Sequence, residues 1–101
     1  MGAEALADYF LKQENKDIVR AIGYLRKAFE LDSLSAGHRL GRVLYYEAES
    51  PVQREEAKKI LLSLVEQDYL PAAKSLAYIY SEGNRSDRNY EAARNLHLRL
   101  L

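Results

Sequence analysis

Ala72-Ala-Lys-Ser-Leu76-Ala77-Tyr-Ile-Tyr80-Ser-Glu-Gly83 is the clearest copy of a phrase that occurs three times in this chain. It returns as Ala36-Gly-His-Arg-Leu40-Gly41-Arg-Val-Leu44 and, more faintly, as Gly2-Ala-Glu-Ala-Leu6-Ala7-Asp-Tyr-Phe10. Leu6 and Leu40 are 34 residues apart, and Leu40 and Leu76 are 36. Recurrence at this spacing marks a helical repeat array, in which each unit buries its apolar face on the next. The chain therefore reads as all-α: a right-handed α-solenoid of three antiparallel helix hairpins, six helices in an α-α superhelix. It forms one repeat domain over residues 1–101, with repeats at approximately 2–35, 36–71 and 72–101.

Working outward, Ala3, Leu6, Ala7 and Phe10 carry the i, i+3, i+4, i+7 stripe of an amphipathic helix over 3–13. Residues 13–16 read as a loop, and Asp17 opens a second helix with Ile18, Ala21, Ile22, Leu25, Ala28 and Phe29 on one face. Gly23 inside that helix costs about 1 kcal/mol against alanine. Close approach of a neighbouring helix would explain it, and so would simple tolerance. Ser35 is placed to cap a helix over 36–48 that turns Leu40, Gly41, Val43 and Leu44 inward. Ala7, Gly41 and Ala77 share one register position, and all are small, as a close helix crossing requires.

Ser50-Pro51-Val-Gln53 combines a cap, a first-turn proline and a glutamine three residues on. It starts a helix over 51–67 that buries Val52, Ala57, Ile60, Leu61, Leu64 and Val65, with Glu55 and Lys59 paired one turn apart on the wet face. Pro71 begins the next helix, 71–82, and Gly83 ends it in the left-handed conformation. Ser86 or Asp87 caps the last helix, which carries Ala92, Ala93, Leu96, Leu98, Leu100 and Leu101.

Fifteen basic residues balance fifteen acidic ones, which argues against nucleic acid as the main partner. With no cysteine there is neither a disulfide framework nor a thiolate metal site. No apolar run reaches the roughly 18 residues of a membrane span, and Met1-Gly-Ala-Glu-Ala runs straight into the first repeat without the pattern of a signal peptide. The compartment stays open between cytoplasm and periplasm. The chain reads either as a complete small protein or as a piece of a longer array, and its abrupt start and end favour the second. His38 and His97 fall in different repeats, and His97 takes a position that elsewhere holds Leu25 and Leu61, so it reads as a packing residue. Neither a nucleophile elbow nor a glycine-rich phosphate loop is present. These features point to a chain that is not an enzyme and takes no metal or cofactor.

The residues carry a family resemblance. The chain resembles the Sel-one-like repeat family, relatives of the tetratricopeptide repeats, whose first helix reads Ala-x-x-x-Leu-Gly-x-x-Tyr-x-x-Gly and whose second reads Lys-Ala-x-x-Trp-Tyr-x-Lys-Ala. Ala72, Leu76, Ala77, Tyr80 and Gly83 match the first pattern, as do Ala36, Leu40, Gly41 and Leu44. Arg20-Ala21-Ile-Gly-Tyr24-Leu25-Arg-Lys27-Ala28 matches the second. Ala21 to Ala36 and Ala57 to Ala72 are both 15 residues. The chain departs from the pattern where the closing glycine is Asp32 or Asp68. The resemblance implies a bacterial adaptor or assembly factor whose first helices line a concave, partner-binding surface.

On that reading His38, Arg42, Tyr45, Lys74 and Tyr78 face the groove, with Glu4 and Asp8 at its acidic end. Arg and Tyr are common hot-spot residues, so the groove suits an acidic protein or peptide segment. The chain is then an interaction scaffold. The alternatives are a small inhibitor or immunity-type protein that occludes one enzyme, or a regulatory repeat domain of a larger protein. Leu96, Leu98, Leu100 and Leu101 end the chain without a polar capping helix. A longer array, self-association through this end, or leucines turned inward would each account for them.

Overall fold

The computed structural model describes residues 2–12, 17–47 and 50–100. Its helices are α1 (Ala3–Lys12), α2 (Ile18–Glu30), α3 (Leu34–Tyr46), α4 (Pro51–Glu66), α5 (Leu70–Glu82) and α6 (Tyr90–Arg99), with one 3-10 turn at Arg85–Asp87. There is no strand among the described residues, so the fold class is all-α. The expected loop at 13–16 lies outside them. The chain divides into two compact units, Met1–Ile60 and Leu61–Leu101, with the boundary inside α4.

In the first unit α2 packs against both α1 and α3. Side chains extend these contacts. Asp8 of α1 pairs with Arg39 of α3, and Glu4 lies 3.7 Å from the same guanidinium. Arg26 of α2 grips Glu56 of α4 with both nitrogens, at 2.5 and 2.8 Å. That shared bond raises the Arg26 pKa and lowers that of Glu56. In the second unit α5 packs against α6, and the Asn89 amide donates to Tyr80 O at 2.7 Å, tying the start of α6 to α5.

The 36-residue recurrence is visible in burial. Ala21 and Ala57, Leu25 and Leu61, Ala36 and Ala72, and Leu40 and Leu76 are all at most 1% exposed. It is also visible in the backbone. Among the described residues Asp32 and Asp68 are the ones with positive φ, at 68° and 61°. Around the first, the Ser33 amide donates to Ala28 O and the Asp32 amide to Phe29 O; around the second, Tyr69 donates to Leu64 O and Asp68 to Val65 O. Each set is the paired closure of a helix by a left-handed residue, a place usually taken by glycine. Aspartate tolerates that conformation better than most side chains do.

Several local expectations are corrected. Ser33, not Ser35, caps α3, accepting the Ala36 amide at 3.2 Å, because the left-handed Asp32 ends the turn early. Leu70 is the first residue of α5, which puts Pro71 second. Val52 is 78% exposed, since five residues at 100° each set it about 140° around α4 from Ala57. Glu55 pairs with Lys58 rather than Lys59. Gly83 is extended at φ −75°, not left-handed. Asn89 caps α6 through the Ala92 amide, while Ser86 and Asp87 belong to the 3-10 turn. His97 is exposed rather than packed.

The close helix approach is at Gly37, not at Gly23. A Cβ at Gly37 would stand 2.7 Å from Cδ1 and Cε1 of Phe29, whereas one at Gly23 would meet nothing within 4 Å.

Candidate functional site

In the first unit, the exposed side of α3 holds the positions that the sequence assigns to a partner. Successive steps of four along a helix stay on one face, so His38, Arg42 and Tyr46 follow one another there. Arg42 is exposed and His38 is half-buried. Burial first, and the charge of Arg42 second, hold the His38 imidazole below its ordinary pKa. The imidazole is therefore neutral at neutral pH, and Arg42 carries the positive charge of the pair.

Tyr45 does not reach this surface. It is 6% exposed, while its neighbour Tyr46 is 46% exposed. The two rings meet edge to face at 4.9 Å. One residue is 100° of helix, and that step puts Tyr45 in the core beside Leu44 and Tyr46 outside. The aromatic group at this surface is Tyr46, which the sequence reading passed over. Its i+4 spacing from Arg42 was the signal that could have found it.

Leu11, Arg39, Arg42, Val43, Tyr46 and Glu47 line a cavity of about 350 Å3 on this unit. Arg39 is held from behind by Asp8 and Glu4. Glu4 also accepts from Ser35 Oγ at 3.0 Å and from Ser33 Oγ at 3.4 Å. The two acidic residues expected at the free end of a groove are thus spent on joining α1 to α3. The cavity brings the apolar Leu11 and Val43 together with Tyr46, the exposed Arg42 and the acidic Glu47, a polar anchor beside an apolar one.

In the second unit, Lys74 and Tyr78 lie one turn apart on α5, and both are exposed, Tyr78 by 55%. They stand 36 residues after His38 and Arg42. Ser81, one turn on, turns its hydroxyl back onto Ala77 O at 3.0 Å and Tyr78 O at 3.3 Å. It adds little to a binding face. The predicted set thus falls into two parts, His38, Arg42 and Tyr45 on one unit and Lys74 and Tyr78 on the other.

The C-terminal leucines separate as well. Leu96 is buried, Leu100 is half-buried and Leu98 is 59% exposed. Leu101 lies outside the described residues. Leu96 joins Ala93 in the core of its unit, so of the possible self-association residues Leu98 is the exposed one among the described residues.

Among the described residues no three His, Cys, Asp or Glu side chains gather so as to hold a metal ion. Among the described residues no helix is long and apolar enough to cross a membrane. Set against family models, curated proteins and solved structures, the chain matches none of them.

Proposed function

We propose that the chain is a right-handed α-solenoid of three antiparallel hairpins, of Sel-one-like repeat type, acting as a scaffold that binds an acidic protein segment. The observation that carries the reading is a register match. Arg42 and Tyr78 stand 36 residues apart in helices of equal length, and both are exposed where the flanking apolar residues are buried. Side chains of hot-spot type held out at one position of a repeat are what a repeat array uses to contact a partner. Each unit contributes its own contact, Arg42 with Tyr46 on α3 and Lys74 with Tyr78 on α5. Tyr45 has no part in it.

Two labelled peptides of matched length test this reading, one rich in Asp, Glu and Leu and the other with Lys in place of the acids. The acidic peptide should bind, and bind more tightly at low salt. Arg42→Glu and Lys74→Glu should each weaken it about tenfold, roughly 1.4 kcal/mol, with helicity unchanged. Equal binding of both peptides, or indifference to both charge reversals, would sink the proposal.

A further inference from the structure

Gly23 weakens the middle of α2, and no packing accounts for it. The residue is exposed, and a Cβ there would meet nothing within 4 Å. What lies over it is an open cavity of about 360 Å3, lined by Arg20, Gly23, Tyr24 and Lys27. It is a shallow hollow, open to solvent. The spacing 20, 23, 24, 27 makes one stripe of the helix, with a cation at each end, about 10 Å apart along the axis. Between them are bare backbone and an aromatic ring. Among the described residues no acidic side chain lines the cavity.

The wall is held in place from α1. Tyr24 stacks on Phe10 with centroids 5.8 Å apart and planes 5° from parallel. Arg20 lies over the same Phe10 ring, 5.5 Å from its centroid, with its Nε 3.3 Å from Asp17. Asp17 offsets part of the Arg20 charge, so Lys27, exposed at the other end, is the stronger attractor for an anion.

We propose that this hollow on α2 binds a small aromatic anion of the aryl phosphate class. The ring rests over the Gly23 backbone beside Tyr24, in the space that any side chain at position 23 would take. The anionic group is met by Lys27, with Arg20 at the opposite end. None of the residues proposed to meet an acidic segment takes part, so the two proposals stand or fall separately.

Phenyl phosphate is the probe, followed through amide chemical shifts, with inorganic phosphate and phenol as its two halves. Saturable shifts are expected at Gly23, Tyr24 and Lys27, with either half binding at least about tenfold more weakly. Gly23→Leu should lose at least about tenfold in affinity while raising Tm, because leucine is the far better helix former. That rise in Tm separates a filled site from a damaged fold. Lys27→Glu should weaken binding to a similar extent. The proposal is overturned if phenyl phosphate does not saturate in roughly the millimolar range. Inorganic phosphate binding as well as phenyl phosphate, or Gly23→Leu binding as the native chain does, also overturns it.

Discussion

The turn between α2 and α3 and the turn between α4 and α5 close with the same pair of backbone bonds around a left-handed aspartate, yet their side chains differ on both flanks. Before and after the first turn, Phe29 stands against Gly37. The equivalent positions of the second are Val65 and Ala73, both buried. A smaller side chain before the second turn goes with a larger one after it, the direction of compensation that close packing favours. The caps differ too. Ser33 accepts the Ala36 amide, whereas Tyr69 makes no side-chain cap, and Pro71 in the first turn of α5 removes one donor that would need an acceptor. One backbone geometry thus tolerates two packing solutions and two capping solutions, provided each is internally matched.

Exchanging half of a matched pair should have the largest effect. Gly37→Ala places a Cβ 2.7 Å from the Phe29 ring, an overpacking cost of about 1–3 kcal/mol that outweighs the roughly 1 kcal/mol alanine gains as a helix former. In the Phe29→Val background, which imitates the second turn, the same Gly37→Ala change should become stabilising. Urea denaturation of the four proteins gives the coupling, expected at about 1–2 kcal/mol. A coupling near zero would mean that Phe29 swings aside freely and the matched-volume account is wrong.

The hydroxyl cap comes next. Ser33→Ala should cost about 1 kcal/mol, since Ser33 Oγ accepts the Ala36 amide at 3.2 Å and also contacts Glu4 at 3.4 Å. Ser33→Thr should recover most of the loss. The second turn has no such bond to lose at Tyr69. Thermal unfolding that leaves Ser33→Ala indistinguishable from the native chain would show that water satisfies the Ala36 amide equally well.

What could be read from the sequence, and what could not, divides along the same line. Leu25, Leu40, Leu61 and Leu76 were legible because helical period and repeat spacing both point at them, and all four are buried. The exposure of Arg42, Lys74 and Tyr78 was legible for the same reason. Tyr45 was misplaced because two adjacent tyrosines differ by only 100° of helix, and a one-residue choice exchanges inside for outside. The Phe29–Gly37 contact depends on two helices meeting, which no one-dimensional period records. The caps were missed where the usual left-handed glycine is replaced: with Asp32 in that role, the next helix starts at Leu34 instead of Ala36. Gly83, the residue that looked made for it, adopts ordinary extended backbone.

That replacement gives the smallest expected effect. Asp32→Gly should relieve left-handed strain on the order of 1 kcal/mol and lose part of it to the greater entropy of the unfolded glycine, a net gain of about 0.5 kcal/mol. Asp68→Gly relieves the same strain, but it also gives up a contact to Arg99 at 3.7 Å. That pair is largely exposed, 51% and 86%, so screening leaves it only a few tenths of a kcal/mol. At low salt Asp32→Gly should therefore stabilise more than Asp68→Gly. Raising the ionic strength should bring the two gains together, because salt weakens the Arg99 contact and leaves the backbone strain untouched. Stability curves for both variants at two salt concentrations decide it. A gap that persists at high salt would place the difference in the turns themselves, and the equivalence of the two left-handed aspartates would have to be given up.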